Sequence, residues 1–268
     1  MNLIQVLVLA AVEGVTEFLP VSSTGHLILA VNAAGIMQSE FVKSFEIAIQ
    51  LGAISAVVVL YWRKITTDME VLKRVAAAFV PTGIAGILAY RFVKSYLLGN
   101  AGVTIAALLI GGAGLIVYEK FKIQNTGKAS AARAKFKLNS NYKIQNLDYW
   151  KCIGIGLMQA VAMVPGVSRA LMTIIGGEAM GLSRREAVEF SFMLAIPTMA
   201  AATGWDLVRS GWGFSGGQWG LLAAGFLAAA VTAAVTVKWL VAWVKQQHNL
   251  EIFGWYRIAL AGGWWLFA

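Results

Sequence analysis

Apolar residues in this chain run in long blocks. Residues 45–62, 79–90, 102–118 and 219–237 are almost uninterrupted, and charge closes each of them: Arg63 and Lys64, Arg91, Glu119 and Lys120, and Lys238. The second block can be read on as far as Leu98. Residues 188–208 and the shorter 253–268 extend the pattern, with Pro197 inside the first and Arg257 inside the second. Blocks of about 20 apolar residues predict membrane-spanning helices, so six spans are expected. Residues 3–31 and 153–180 are as apolar, but each is broken midway. The first break is EGVTEFLPVSSTGH (residues 13–26) and the second is QAVAMVPGVSR (residues 159–169). Broken backbone inside a bilayer is tolerated only against protein or a water-filled cavity. Each segment is therefore expected to form a re-entrant hairpin: a helix, a turn and a second helix that enters and leaves on one side.

The two breaks look like a repeat. Pro20 and Pro165, Ser23 and Ser168, and Phe45 and Phe190 are all 145 residues apart. With six spans and two re-entrant hairpins, the loops 63–78, 119–152, 181–187 and 238–251 fall on one side. They carry 4, 8, 2 and 2 Lys/Arg, 16 of the 22 in the chain. Lys43, Arg91, Lys94 and Arg209 fall on the other. This asymmetry puts the four loops in the cytoplasm and the N-terminus outside. The hairpins then enter from opposite faces, as in an inverted-topology repeat. The expected fold is a single all-α integral membrane domain over 1–268. It has a first half at 1–118, a cytoplasmic linker at 119–152 and a second half at 153–268.

Composition supports the membrane reading and excludes several others. Of 268 residues, 59% are hydrophobic and 13% charged, against roughly 25% charged in a soluble domain. Mean hydropathy is +0.70. With Cys152 as the single cysteine, a disulfide scaffold is excluded. The formal charge of +9 is an orientation signal rather than a nucleic-acid surface, because no hydrophilic domain is large enough to present one. The basic linker reads as a solvated segment beside anionic headgroups, with partner binding as the alternative. The N-terminus has no basic residue ahead of its apolar run, unlike a signal peptide, and reads as part of the fold.

The charges that interrupt the apolar pattern are the candidates for chemistry. Glu13 and Glu17 share one helix face. Each carboxylate in a membrane costs roughly 2.5–3.5 kcal/mol on insertion scales, so the pair needs a cation: Arg169, or a hard divalent ion such as Mg²⁺. Ser22, Ser23, Thr24 and Gly25 mark a helix start, where hydroxyls cap and free N–H groups bind phosphate oxygens. Gly166, Ser168 and Arg169 mark another, and the guanidinium fork suits phosphate. Thr173, one turn on, can reach the same place. His26 lies three residues after Ser23, so the two could act as base and nucleophile. Plain alternatives stand beside these readings: a structural Glu–Arg staple, simple serine capping, and a buried core histidine. His248 reads as solvated, and Glu178 as meeting the surface.

At these residues the chain resembles a known family. EGVTEFLPVSSTGHL (residues 13–27) resembles the first signature of the undecaprenyl-pyrophosphate phosphatase family, known as BacA or UppP, and PGVSR (residues 165–169) resembles the start of its second. FEIAIQLG (45–52), FSFMLAIP (190–197) and WYR (255–257) match family-like patterns, so the likeness covers nearly the whole chain. It implies six transmembrane helices, two re-entrant pairs and inverted repeats in the bacterial inner membrane, with the site opening to the periplasm. It implies removal of the terminal phosphate of undecaprenyl pyrophosphate, dependence on Mg²⁺ or Ca²⁺, recycling of the peptidoglycan lipid carrier and bacitracin resistance. Carried onto this sequence, Glu13 and Glu17 bind metal or assist the chemistry, Ser23 and His26 are nucleophile and base, and Arg169 holds the pyrophosphate. The family commonly continues Ser-Arg with Ser-Gly-Ala-Thr. Here the residues are Ala170-Leu171-Met172-Thr173, so an altered phosphate pocket is expected. A transporter or flippase of the carrier lipid is the rival function, since broken helices in inverted repeats also serve alternating access. The sequence leaves a homodimer open.

Overall fold

The computed structural model describes residues 1–37, 39–97, 100–128, 143–209, 214–246 and 249–267, with backbone alone at a few helix ends. Linker residues 129–142 and His248 lie outside them. The described residues form ten α-helices: α1 (Leu3–Thr16), α2 (Ser23–Ala33), α3 (Glu40–Thr67), α4 (Met69–Phe92), α5 (Ala101–Lys128), α6 (Tyr149–Val161), α7 (Arg169–Ala179), α8 (Arg184–Arg209), α9 (Gly216–Lys245) and α10 (Glu251–Phe267). A π-helical turn, Val93–Leu97, extends α4, and a 3-10 turn, Ile144–Asn146, precedes α6. Five helices are long and apolar enough to cross a membrane: α3, α4, α5, α8 and α9. α10 spans about 26 Å at 1.5 Å per residue, a little under the roughly 30 Å of a bilayer core. Large apolar side chains such as Ile87 (81% exposed) and Leu88 (78%) stand on the outer surface. Water would penalise that surface and lipid accommodates it. The chain is a multi-pass membrane protein.

Local sequence explains where the helices start. Asn2 and Gln5 form a reciprocal capping box on α1, each side chain bonding the other's backbone N–H at 2.9 Å. Ser215 and Gln218 do the same for α9. Ser39 caps α3. The expected loop 63–78 is nearly all helix, with only Asp68 between α3 and α4. Its charges are good helix formers that continue the two helices past the apolar block, and Glu70 pairs with Lys73 (3.0 Å) and Arg74 (2.6 Å) one turn on. The same reason carries α9 through Lys238 to Lys245.

Helix packing follows a regular scheme. α3 packs on α9 and α8 on α4; α1 packs on α9 and α6 on α4; α5 packs on α10, and α3 on α8. The largest core cluster joins α3, α4, α8 and α9 around Val57, Ala78, Phe192, Leu194 and Val237, with Phe18 edge-on to Phe192 at 5.4 Å. A second cluster unites α1, α2, α3 and α9 through Leu9, Leu27, Phe45 and Leu222.

Ion pairs collect at one end of the bundle. Lys64 at the end of α3 bonds Glu189 near the start of α8 (2.8 Å). Arg184 bonds Glu119 of α5 (2.6 Å) and Glu178 of α7 (2.9 Å), and Lys122 bonds Glu178 (2.5 Å). Arg74 donates to the Leu147 carbonyl, and Gln145 to Asp68. The Glu178 side chain, expected at the surface, is instead buried in this network: a carboxylate ending α7 meets two cations, Lys122 from α5 and Arg184 from α8.

Candidate functional site

Both broken segments are helix–turn–helix pairs. In the first, α1 ends at Thr16, residues 17–22 turn, and α2 begins at Ser23. In the second, α6 ends at Val161 and α7 begins at Arg169. Each turn holds a residue with positive φ, Ser22 (+73°) and Gly166 (+91°). The conformation suits glycine but strains serine. Ser168 caps α7 by accepting from the Leu171 N–H at 3.2 Å. Ser22 makes no such side-chain bond. The left-handed twist at Ser22 forgoes the extended geometry a side-chain cap uses, so the expected hydroxyl cap is absent there.

The two helix starts converge on one carboxylate. Ser23, the first residue of α2, donates its hydroxyl to Glu17 Oε2 at 2.5 Å. Arg169, the first residue of α7, donates through Nη2 to Glu17 Oε1 at 3.2 Å. The Arg169 Nη1 donates to the Ser191 carbonyl of α8, and its guanidinium lies 5.9 Å over the Phe18 ring. Thr173 is fully buried and meets the Ser191 hydroxyl at 2.6 Å, so it braces Arg169 from behind. Ser168 ties the breaks together directly, donating to the Leu19 carbonyl at 3.3 Å. Gly25 is buried and Thr24 is exposed. Ala170 and Leu171, where the chain departs from the family pattern, pack in the apolar core.

Two groups here lack partners. Glu13 is fully buried and neither of its carboxylate oxygens has a hydrogen-bond partner; the Arg169 Nε–H is also unpartnered. The charges of Glu17, Glu46 and Arg169 all act on Glu13. A buried unpaired carboxylate is costly, and together with Glu17 it offers the hard oxygen donors that Mg²⁺ or Ca²⁺ takes. Among the described residues no three His, Cys, Asp or Glu side chains cluster as a metal site. An ion held by the two glutamates would complete its shell with water and substrate oxygens, as Mg²⁺ commonly does.

His26 is placed differently from the pairing its spacing suggests. Its Nδ1 lies 2.7 Å from the Ser22 carbonyl and its Nε2 lies 2.7 Å from the Tyr256 hydroxyl. A carbonyl only accepts, so Nδ1 carries the proton and Nε2 accepts from Tyr256. The serine hydroxyl and the imidazole therefore serve different partners in this structure. Tyr256 and its neighbour Arg257, both on α10, were not among the sequence candidates. Arg257, an arginine inside an apolar run, was the available signal for that helix.

Fold and site together define a polytopic helical membrane protein with a half-buried Glu–Ser–Arg centre where two broken helix pairs meet. The model of one family, the bacitracin resistance protein BacA, matches residues 6–263. The chain belongs to that family. It is 47% identical over 256 residues to an undecaprenyl-diphosphatase of Aquifex aeolicus, covering 96% of this chain and 94% of that protein. It is 45% identical over 260 residues to one of Thermus thermophilus, covering 96% and 94%.

Proposed function

We propose that this protein hydrolyses undecaprenyl pyrophosphate to undecaprenyl phosphate and inorganic phosphate, recycling the lipid carrier of peptidoglycan synthesis and conferring bacitracin resistance. The observation that carries the chemistry is Glu17 bridging Ser23 and Arg169. The Ser23 oxygen attacks the terminal phosphorus as Glu17 takes its proton. The anhydride P–O bond breaks, undecaprenyl phosphate leaves with the bonding pair, and water then releases phosphate from the serine. Arg169 and the N–H groups at the starts of α2 and α7 hold the phosphoryl oxygens, which is how most phosphoryl-transfer catalysis is achieved. Ser22, Thr24, Gly25, Gly166, Ser168 and Thr173 shape that cradle. His26 becomes a base for Ser23 only after it gives up Tyr256. Glu13 and Glu17 would hold Mg²⁺ or Ca²⁺, which when bound neutralises phosphate charge.

The membrane arrangement proposed with it is six spans and two re-entrant pairs in an inverted repeat. Its halves exchange in the packing scheme: α1–α9 corresponds to α6–α4 and α3–α9 to α8–α4, while α5–α10 and α3–α8 map onto themselves. The ion pairs at one end gather the ends of α3, α5 and α7 with the start of α8. That supports placing three of the four basic loops on one face, the cytoplasmic face of the bacterial inner membrane. The site then opens toward the periplasm, with the prenyl tail in lipid. Phosphate release from a short prenyl pyrophosphate in detergent, with and without chelator, tests the reading. No release at any metal concentration sinks it and leaves lipid transport as the better account.

A further inference from the structure

We infer that Arg257 is a positioning residue: its guanidinium ties the two breaks into one unit, so that Ser23 and Arg169 meet on Glu17. The residue has no exposed surface. Its Nη1 donates to the Pro20 carbonyl in the first break (3.4 Å) and its Nη2 to the Gly166 carbonyl in the second (2.9 Å). The remaining bonds reach the Leu108 and Ala107 carbonyls of α5 at 3.4 and 3.0 Å. No carboxylate pairs with it among the described residues. A buried cation satisfied only by main-chain dipoles is a poor source of stability, and apolar packing would serve a helix contact better. What these bonds supply is geometry. Pro20 stands two residues before strained Ser22 and three before Ser23; Gly166, itself at positive φ, stands three before Arg169. One rigid fork therefore holds the carbonyls on which both helix starts depend. No other residue type has five donors in a planar array.

The frame leaves room for this fork and little else. A Cβ at Gly111 of α5 would collide with Arg257 Nη2 and come within 2.9 Å of its Cζ. The residue 145 positions before Arg257 is Gly112. At that offset one half supplies an arginine and the other a glycine, where a Cβ would come within 2.8 Å of the Gly254 carbonyl and 3.2 Å of the Arg257 Cβ. Tyr256, the preceding residue, holds His26 at the start of α2. α10 therefore reaches both broken pairs from a single turn.

The inference rests on the hydrolase reading for its kinetic test and on backbone protection for a test independent of activity. R257K keeps the charge but offers one flexible ammonium in place of the fork. Its kcat for a short prenyl pyrophosphate is expected to fall about 100-fold, the cost of a misplacement near 1 Å, with KM little changed because Arg169 remains. G111A displaces the guanidinium without removing it. It should lower kcat in the same sense, and adding it to R257K should cost nothing more. In hydrogen exchange on detergent-solubilised protein, R257K should lose protection in residues 17–22 and 162–168 together while α3 stays protected. Several outcomes overturn the inference: wild-type kcat in folded R257K, a loss confined to KM, additive effects of the two substitutions, or loosening of only one break. Wild-type protein without phosphate release would sink the hydrolase reading instead, and exchange would still decide the clamp.

Discussion

Replacing Glu17 by glutamine preserves shape and removes charge. The native carboxylate accepts at both oxygens, from Ser23 at 2.5 Å and from Arg169 at 3.2 Å. An amide keeps one of these bonds and turns N–H groups against the other donor. Ser23 also loses the group that takes its proton. Loss of a general base costs roughly 10²–10⁴ in rate, or about 2.7–5.4 kcal/mol at 1.36 kcal/mol per decade. The effect on stability is smaller. Breaking a fully buried pair costs about 3–5 kcal/mol, but the Glu17 and Arg169 side chains are 7% and 13% exposed and Arg169 keeps the Ser191 carbonyl. A loss of about 1–3 kcal/mol is expected for E17Q. Turnover should therefore collapse while the protein still elutes and melts as a folded species. Phosphate release under single-turnover conditions, beside a thermal melt in detergent, measures both. E17Q turning over near the wild-type rate, or losing activity only in proportion to folded fraction, refutes the reasoning.

Further expectations follow from the same contacts. H26Q should lower kcat much less than E17Q, because His26 bonds Ser22 and Tyr256 rather than Ser23; equal losses would restore His26 as the working base. E13Q should melt no lower than wild type in metal-free buffer, since it replaces a buried carboxyl whose oxygens make no hydrogen bond, yet lose metal-stimulated phosphate release; a lower melt would mean the carboxyl is already satisfied. Burial pushes the Glu178 carboxyl up, but hydrogen bonds and charge from Arg184 and Lys122 outweigh this and hold it below the usual 4.5. A depressed carboxylate contributes stability above its unfolded pKa and loses it as pH falls through the folded value. Wild-type melts should therefore drop below about pH 4.5, and E178Q should flatten that limb.

Long apolar blocks and their two interruptions were legible in the sequence, because lipid imposes length and backbone satisfaction on every segment. So were Glu13, Glu17, Ser23 and Arg169, since charge and hydroxyl inside such segments need a reason. The partners were not legible. Arg257 bonds only main-chain carbonyls, which every residue carries and no pattern marks. The divergence of Ser23 and His26 depends on a twist at Ser22 that a three-residue spacing does not reveal. Charged runs at 63–78 looked like loop because charge leaves the bilayer, but a helix can leave with it. Glu178 looked solvated because its cations come from segments 56 and 6 residues away.

The Glu17–Arg169 contact joins residues 152 positions apart, and that separation has a consequence in time. At about 5–20 residues per second, Arg169 leaves the ribosome roughly 8–30 s after Glu17. Through that interval two acidic side chains sit in a nascent apolar hairpin with no counter-charge of their own. The first broken pair is thus born unfinished. Until the second pair arrives, Glu17 has no Arg169 to neutralise it. Order of synthesis becomes part of how this centre is assembled, because a chain stopped before residue 169 has Glu17 and Ser23 but lacks the guanidinium that pairs with the carboxylate.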